Sequence, residues 1–597
     1  MSMEALQEKD RWDLSGLYEN DNRWREDFER LAVFPKEMEA FAGQLQDAKK
    51  LLTYLKKKDE ADRLVQKLWN YAMLHADEDT SNMNYLSMRR EMEGAVARIE
   101  AAGAFFVPEL LALSDEKIAE MLEQEEELRV YTFALQSILR NRKHYLNAGE
   151  EKLLAYASEC LSAPQNVSDI LRGVDMKFPS IRDEKGEERE LNEGSYPAFL
   201  MSTDRRVRKE AFESVLGTYT RLANTFGGLL ISSVKNSVFN ARIRNYATAL
   251  ECSLGEVNIP VEVYHTTIAS IGKGIGALQK YIRLKKQILG LDELHMYDIN
   301  VPLFELSEDY VSFDDAVVTI KEALQPLGED YVEKFQEGID SRWIDRYPRM
   351  GKVGGAYSAG CYDSVPYILL NYNGKQDDVL TLAHEMGHSM NTWYSTTNQP
   401  FVYAGYSLFC AEVASTTNEV IVSRHMFAKE KDPIKRMHLL ALQLEQIRGN
   451  VFRQVMFAEF ELYIHTQVEQ GRTPMADELC AKWHELNEKY YGEALVVDAG
   501  IDAEWARVPH FYRDYYVYEY ATGYAAASSF ARMIMNGEEG VVERYKGFLK
   551  SGSSDDPIPM LRKAGVDLTT DKPFADVIAV FTELVDLLEA EYNSMKK

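Results

Sequence analysis

Cysteine is scarce in this chain of 597 residues. Five cysteines occur, widely spread and never as a CxxC pair, at Cys160, Cys252, Cys361, Cys410 and Cys480. An odd number without paired spacing argues against a disulfide framework. The pattern is typical of reduced, mostly buried thiols, and we therefore expect a cytoplasmic protein.

Positive charge is also in short supply. Lysine and arginine number 68 against 95 aspartates and glutamates, which gives a formal net charge of −27. Because a phosphate backbone must be met by clustered lysine and arginine, we expect no nucleic-acid partner. The same deficit disfavours an anionic membrane surface. We interpret the acidic surface as a solubility device and not as a sign of a basic substrate.

Neither a leader sequence nor a membrane helix is predicted for this chain. Its first residues, MSMEALQEKDRWDLSGLYEN, lack a basic start followed by an apolar segment, so no secretory signal is predicted. No stretch reaches the roughly 18 uninterrupted apolar residues of a membrane helix, and we expect no membrane partner. The overall composition is that of a globular chain, long enough for several domains or one large multi-lobed α protein.

Most of the chain has the spacing of amphipathic helices. Apolar residues recur at three- and four-residue intervals across 61–78 and 115–146, with charges between them. The segment 176–192 differs, because two short runs flank a polar turn, and it predicts a β-hairpin. We place a boundary near residue 200, dividing an N-terminal helical lobe (1–200) that ends in this hairpin from a larger catalytic domain (201–597).

A second β-like stretch lies at 352–372, where glycines precede the apolar run YILLNY. The pair Asn373–Gly374 follows as a turn signal. Asp377 or Asp378 is then expected to cap a helix. That helix carries the sequence HEMGH, so the motif follows a strand in an otherwise helical chain.

The HEMGH motif places two histidines on one helical face. His384 and His388 are four residues apart, so both imidazoles can bind a single ion. Glu385 lies about 100° around the helix, where it can reach a water on the ion but not the ion itself. The chain has only 11 histidines, so a chance match is rare. The alternative is an ordinary surface helix with two solvated histidines.

Zinc needs a third protein ligand and one position left open for water. A metzincin would require glycine at 391 and histidine at 394, but the chain has Asn391 and Tyr394. Glu412 is the first acid or histidine after the motif, and Glu419 lies two turns further on the same helical face. One carboxylate can bind the metal while the other accepts a hydrogen bond from a ligating histidine. In the alternative, one or both acids face solvent.

Tyrosines crowd the segment 507–530 after His510. Most of them are expected to be core aromatics. However, peptide hydrolysis needs hydrogen-bond donors for the oxyanion, and a neutral imidazole or a tyrosine hydroxyl can supply them. A phosphate-binding loop at GKGIG (272–276) is not expected, because this stretch follows a helical pattern and no strand. We predict a turn between helices there.

Six stretches of the chain form a distinctive combination. They are WDLSGLY (12–18), MYDINVPL (296–303), GGAYSAG (354–360), PYILLNYNG with DVLTLAHEMGHS (366–389), FCAEVASTTNE (409–419) and HFYRDYYVYEYATG (510–523). Together they resemble the thimet-oligopeptidase-like zinc metallopeptidases, within them the oligoendopeptidase F branch. The resemblance runs from near the N-terminus to the C-terminal helices.

The resemblance implies one Zn²⁺ per chain, bound by His384, His388 and Glu412. It implies that Glu385 is the general base and that Glu419 is the hydrogen-bonding partner of a ligating histidine.

The resemblance also implies that His510 and neighbouring tyrosines donate hydrogen bonds to the transition state. In members of the thimet type this loop is glycine-rich and its His–Tyr spacing is longer. Among the tyrosines of this chain we favour Tyr518, then Tyr515.

For the fold, the resemblance implies a mainly α protein, a two-lobed helical body with a deep substrate channel and a small β-sheet beside the zinc site. We expect the substrate to pair as an extra strand along Gly354, Gly355, Ala356 and Tyr357, because missing side chains permit close backbone approach.

The sequence therefore predicts a zinc endopeptidase that hydrolyses short, unstructured oligopeptides by glutamate-assisted attack of a water held by the zinc. Two alternatives stay open. One is a zinc carboxypeptidase or dipeptidase with the same ligands, which would need a basic residue for the substrate carboxylate. The other is a peptide-binding protein with a vestigial metal site. The oligomeric state is not predicted.

Overall fold

Helices make up most of residues 7–304 and 310–596, the ranges that the computed structural model describes. The first fifteen are α1 (Asp21–Leu31), α2 (Phe34–Glu39), α3 (Ala48–Glu78), α4 (Met83–Gly103), α5 (Phe106–Ala112), α6 (Asp115–Gln124), α7 (Thr132–Arg140), α8 (Ala148–Leu161), α9 (Ala163–Ile170), α10 (Tyr196–Leu200), α11 (Arg205–Arg221), α12 (Ala223–Ile243), α13 (Ala249–Gly255), α14 (Val261–Gly272) and α15 (Ile275–Ile288). The others are α16 (Phe313–Ala323), α17 (Glu329–Asp340), α18 (Gln376–Asn398), α19 (Leu408–Lys429), α20 (Pro433–Ile447), α21 (Arg453–Glu469), α22 (Ala476–Tyr491), α23 (Tyr518–Met535), α24 (Val541–Ser551), α25 (Pro557–Ala564) and α26 (Lys572–Met595).

Within the described ranges, the strands are short and form three small sheets. They are β1 (Ile181–Arg182), β2 (Glu188–Arg189), β3 (Leu294–His295), β4 (Ile344–Asp345), β5 (Tyr357–Ala359), β6 (Tyr367–Leu369) and β7 (Leu495–Val496). β1 and β2 pair antiparallel and confirm the predicted hairpin, whereas β3 pairs with β7 in parallel. The mainly α fold predicted from the sequence is confirmed.

The chain forms two compact units, each built from three separate segments. The first unit takes Met1–Lys143, Glu308–Met426 and Phe530–Val566; the second takes His144–Ser307, Phe427–Ser529 and Asp567–Lys597. The boundary predicted near residue 200 concerns a division into two consecutive segments, and it stays a prediction. The predicted substrate channel also stays a prediction.

The core of the first unit extends from its N-terminal helices to a three-stranded sheet. The indole of Trp24 in α1 is fully buried and donates to the carbonyl oxygen of Leu68 in α3 at 2.9 Å. Tyr367 and Leu369 of β6 belong to the same buried cluster. The sheet is therefore held in place by the helical core behind it.

The strand order of this sheet is β4-β6-β5, with β4 parallel and β5 antiparallel to β6. The N–H groups of Ile368 and Leu370 donate to the carbonyl oxygens of Trp343 and Asp345, on the β4 side. Because backbone groups alternate along a strand, the residues between them face β5. Ser358, at the centre of β5, therefore turns its own backbone toward the opposite edge, which has no partner strand within the described residues.

Other predictions from the sequence can now be compared with the structure. The segment 115–146 is helical but interrupted, since a 3₁₀ turn at Glu126–Tyr131 separates α6 from α7. GKGIG forms the junction of α14 and α15, as predicted, and a Cβ at Gly274 would lie 2.6 Å from the side chain of Ile578. Within the described ranges, none of the helices combines the length and apolar character needed to cross a bilayer.

Candidate metal centre

The helix that bears HEMGH starts slightly earlier than predicted. Its N-cap is Lys375, so the expected cap at Asp377 or Asp378 was wrong in position. Asp378 instead reaches back from the first turn and accepts hydrogen bonds from the N–H groups of Asn373 (2.8 Å) and Lys375 (3.0 Å). A carboxylate in the first turn therefore satisfies two backbone N–H groups just before the helix, as in a capping box.

Gly387, inside the motif, sets how closely α19 approaches α18. A Cβ at this position would lie 2.5 Å from Ser415 Cα and 2.8 Å from the Ala414 carbonyl oxygen. Both are backbone atoms, so a larger residue would push the helices apart. The side-chain amide of Asn418 donates to the Ala383 carbonyl oxygen at 3.3 Å and joins the two helices.

This close packing brings a carboxylate of α19 to both histidines of α18. One oxygen of Glu412, Oε2, lies 3.3 Å from His384 Nε2 and 3.5 Å from His388 Nε2. The candidate ligand atoms, one each from His384, His388 and Glu412, all lie within 4.8 Å of one another. Ligand atoms about 2.0–2.1 Å from a tetrahedral zinc are about 3.3 Å apart. The spacing fits such an ion.

The two glutamates of α19 occupy different places around His384. Glu419 Oε2 lies 3.3 Å from Nδ1, the ring nitrogen that does not face Glu412. The Glu419 side chain is 15% exposed, whereas that of Glu412 is 44% exposed. Glu419 is thus suited to orient the imidazole, and Glu412 to bind an ion that remains open to solvent.

The electrostatics of this cluster favour a cation. Burial by itself lowers the pKa of His384, but the carboxylates of Glu412 and Glu419 outweigh it and raise that pKa to about 10. The pKa of Glu412 is lowered because its interactions with the two imidazoles outweigh the effect of burial. Carboxylates that hold a proton on an imidazole so strongly provide the negative charge that a divalent ion needs.

Glu385 stands beside the cluster without joining it. Its side chain is buried, and this burial raises the pKa of its carboxyl. The backbone N–H of Ser358, at the open edge of β5, interacts with the carboxylate and opposes the rise. The hydroxyls of Ser358 and Ser389 lie 2.8 Å apart and tie β5 to α18. The predicted small sheet beside the site is confirmed.

The predicted substrate strand precedes β5. Gly354 and Gly355 are exposed, with open space where a Cβ would stand, and Gly355 has φ of +82°, which favours glycine. Ala356 is half-buried. Tyr357 begins the strand, and its hydroxyl donates to Asp77 at 2.9 Å.

His510 lies in the second unit, in a cluster of aromatic rings. The Tyr520 hydroxyl is 3.3 Å from His510 Nε2, and the Tyr516 ring stacks on the imidazole with centroids 5.8 Å apart. Burial lowers the pKa of His510, and the charges of Arg513 and Arg172 lower it further. A neutral imidazole, able to donate one hydrogen bond, is therefore favoured at neutral pH.

The two tyrosines favoured from the sequence occupy the core. Tyr515 and Tyr518 are only 2% and 1% exposed. Both rings pack against Tyr264, with centroid distances of 5.3 and 5.0 Å. The structure thus brings Tyr520 and Tyr516 to His510, and not Tyr515 or Tyr518.

The sequence analysis did not identify several residues that shape the candidate site. Gly387 could have been noticed as a glycine inside a helical motif, and Ser358 from the alternation along its strand. Nothing in the pattern of tyrosines distinguishes Tyr520 and Tyr516 from their neighbours, because the backbone between them is irregular.

Two family models match the sequence of this chain. A model described as peptidase family M3 matches residues 198–580, and one described as oligopeptidase F matches residues 109–178. The chain belongs to peptidase family M3. It is a metalloendopeptidase, and the resemblance seen in the sequence is confirmed.

Individual relatives cover the chain almost completely. Oligopeptidase PepF of Bacillus subtilis (strain 168) is 39% identical over 591 residues, covering 99% of this chain and 88% of that protein. Group B oligopeptidase PepB of Streptococcus agalactiae serotype III (strain NEM316) is 37% identical, covering 98% and 97%. The crystal structure of oligoendopeptidase-F from Enterococcus faecium is 34% identical, with a TM-score of 0.76 and coverage of 96% and 99%.

Proposed function

We propose that this M3 peptidase is a zinc endopeptidase that cuts short, unstructured oligopeptides at internal bonds. The observation that carries this proposal is the convergence of His384, His388 and Glu412, with Glu385 beside them but outside the ligand set. The names of the relatives, oligopeptidase and oligoendopeptidase, support the substrate class.

The metal would be held by two imidazole nitrogens and one carboxylate oxygen, a donor set that suits zinc. When bound, zinc would polarise the scissile carbonyl and make water more acidic. Glu419 holds His384 by Nδ1, so that Nε2 stays directed at the site.

Glu385 would move the protons of the reaction. It accepts a proton from the water whose oxygen bonds to the carbonyl carbon, and it delivers that proton to the amine nitrogen as the C–N bond breaks. Burial raises the pKa of Glu385 and so makes its carboxylate a stronger base for the first of these two transfers. The backbone N–H of Ser358 also interacts with this carboxylate.

The peptide would add a strand to the open edge at Gly354–Tyr357. There Gly354 and Gly355 are exposed, and the chain continues directly to Ser358, which contacts Glu385.

Transition-state donors would come from His510 and a tyrosine hydroxyl. The neutral form of His510 supports this role, and Tyr520 is the hydroxyl that the structure adds to the candidates. Tyr518 and Tyr515 stay predictions from the sequence. A cytoplasmic location likewise stays part of the proposal.

The test uses one internally quenched peptide with both ends blocked, together with zinc analysis. We expect cleavage by the zinc-loaded protein, because an endopeptidase needs no free terminus. Glu385→Gln should retain zinc but lose nearly all turnover, since an amide cannot accept the proton of water.

Each alternative has its own outcome in this test. If the blocked peptide stayed intact while the same peptide with a free carboxyl end was cut, the protein would be a carboxypeptidase or dipeptidase. Zinc binding without cleavage would indicate a vestigial site. Near-normal turnover by zinc-loaded Glu385→Gln would contradict the proposed role of Glu385 as general base.

A further inference from the structure

Asn371, just after β6, holds the segment that precedes β5. Its side-chain Nδ2 donates to the carbonyl oxygens of Gly355 at 2.7 Å and of Val353 at 3.0 Å. The sequence motifs and the metal site leave this residue without a role.

These hydrogen bonds extend the β5–β6 ladder beyond its last backbone pair. That pair is Tyr357 opposite Leu369, and the same register continued by two residues would set Gly355 opposite Asn371. In a regular antiparallel ladder the next pair of backbone bonds would form there. Instead of backbone N–H groups, the side-chain amide of Asn371 donates to the Gly355 carbonyl oxygen, and it also donates to that of Val353.

With both carbonyls turned toward Asn371, the opposite side of the segment stays open. The backbone groups of Gly354 and Ala356 make no hydrogen bond to any described residue. The next backbone group on this edge, the N–H of Ser358, meets the carboxylate of Glu385. Backbone groups without a described hydrogen-bond partner therefore lie directly before the residue that contacts the proposed general base.

The start of the segment is fixed independently. The buried Nζ of Lys352 donates to the carbonyl oxygens of Tyr347 (2.9 Å) and Leu370 (2.5 Å), and Val353 N–H donates to the Asp77 carbonyl oxygen (2.9 Å). The two glycines that follow have wide rotational freedom of their own. Asn371 is thus the contact that selects one conformation for the edge.

We propose that Asn371 is a positioning residue for peptide hydrolysis, which holds Gly354–Ser358 as a preformed template for the backbone of a peptide substrate. This inference rests on the proposed function. Its physical basis is that an edge already held in shape loses less conformational entropy when a strand is added.

The experiment measures coupling between Asn371 and the substrate backbone. A blocked hexapeptide is N-methylated at one amide at a time, except the scissile one, and kcat/KM is measured with zinc-loaded enzymes. In the unmodified protein, methylating an amide that pairs with the edge should lower kcat/KM about tenfold, the equivalent of one to two hydrogen bonds. In Asn371→Ala the same methylation should lower it only about twofold.

Two further variants keep the result interpretable. Asn371→Asp preserves the side-chain volume but sets a carboxylate against two carbonyl oxygens, and it should show the same loss of position dependence. Asn398→Ala is the matched control, because Asn398 Nδ2 also makes two hydrogen bonds in the same unit, to the Tyr394 carbonyl oxygen (2.9 Å) and Thr397 Oγ1 (3.2 Å), away from the edge. It should keep the original profile.

The outcomes separate the two proposals. Failure of the unmodified enzyme to cleave the parent peptide would overturn the proposed function and this inference with it. Equal methylation penalties in the unmodified protein and both Asn371 variants, at equal zinc content, would overturn the inference alone.

Discussion

The metal cluster and the His510 segment make different use of the backbone. His384, His388 and Glu412 stand on two regular helices, and their relative positions follow from the helical repeat and one close crossing at Gly387. His510 stands in a short 3₁₀ turn, Pro509–Tyr512, followed by irregular chain.

The irregular chain after His510 contains a residue in an unfavourable conformation. Tyr515 has φ of +55°, in the left-handed region that a non-glycine residue seldom adopts. Its N–H donates at 2.7 Å to Glu461, a fully buried carboxylate of α21. A tertiary contact therefore sets the direction of the chain at this point, whereas the metal cluster combines helical periodicity with one helix crossing.

The largest effect is expected at the metal cluster. Glu412→Ala removes a ligand and should lower zinc affinity more than 100-fold. Glu419→Ala should lower it by about 10–100-fold, the range for residues that orient a ligand. The measurement is competition with a chelator of known affinity. The reverse order would show that the two glutamates have been assigned to each other's roles.

The second prediction asks which tyrosine acts with His510. Tyr520→Phe removes the hydroxyl 3.3 Å from His510 Nε2 and should lower kcat by roughly 100-fold, as loss of an oxyanion donor does. Tyr518→Phe removes a hydroxyl from a fully buried ring and should change kcat little at equal zinc content. Steady-state kinetics on the blocked peptide compare the two variants, and Tyr516→Phe controls for the ring stacked on His510. A large loss in Tyr518→Phe alone would favour the assignment made from the sequence.

The sequence predicted the first region much better than the second. HEMGH, Glu412 and Glu419 could be placed because helical spacing determines which residues share a face. The helical class and the hairpin near residue 185 follow from the same kind of periodicity. By contrast, which tyrosine hydroxyl lies beside His510 depends on the left-handed turn at Tyr515. That turn depends on Glu461, which is 54 residues away and in no motif.

The division into units could not be predicted either. Each unit combines segments separated by more than a hundred residues, such as Met1–Lys143 and Glu308–Met426. Local composition carries no signal for such pairing, because the segments are joined by long-range packing.

The third prediction changes the helix crossing at the metal cluster. Gly387→Ala places a Cβ within about 2.5–2.9 Å of three backbone atoms of α19. The helices must separate, which moves Glu412 away from the imidazoles, and we expect roughly tenfold weaker zinc binding, in proportion to the cost of overpacking. Gly405→Ala is the control, since nothing lies within 4 Å of a Cβ there. Unchanged zinc affinity in Gly387→Ala would mean that the crossing does not set the ligand geometry.

The smallest effect is expected at Glu461, the buried carboxylate that accepts a hydrogen bond from the Tyr515 N–H. Burial raises the pKa of Glu461 from 4.5 to about 8, and its Oε2 has no hydrogen-bond partner among the described residues. His465 on the same helix, Asp514 in the irregular chain and the rings of Tyr264 and Tyr515 surround it. His465 lowers this pKa and Asp514 raises it, but both effects are smaller than that of burial.

The sign of the pH dependence follows from that raised pKa. Below pH 4.5 the group is protonated in both folded and unfolded chains. Between about 4.5 and 8 the folded chain holds the proton more tightly, so stability falls as the pH rises. Glu461→Gln cannot ionise but can still accept the Tyr515 N–H. Its Tm should therefore match that of the unmodified protein at pH 5 and exceed it by a few degrees at pH 8. Glu459→Gln, on the same helix but paired with Lys489 at 2.6 Å, should show no such growing difference. A Tm difference between Glu461→Gln and the unmodified protein that stayed constant from pH 5 to pH 8 would mean that Glu461 does not titrate in this range, and that the left-handed turn at Tyr515 rests on an ionised carboxylate.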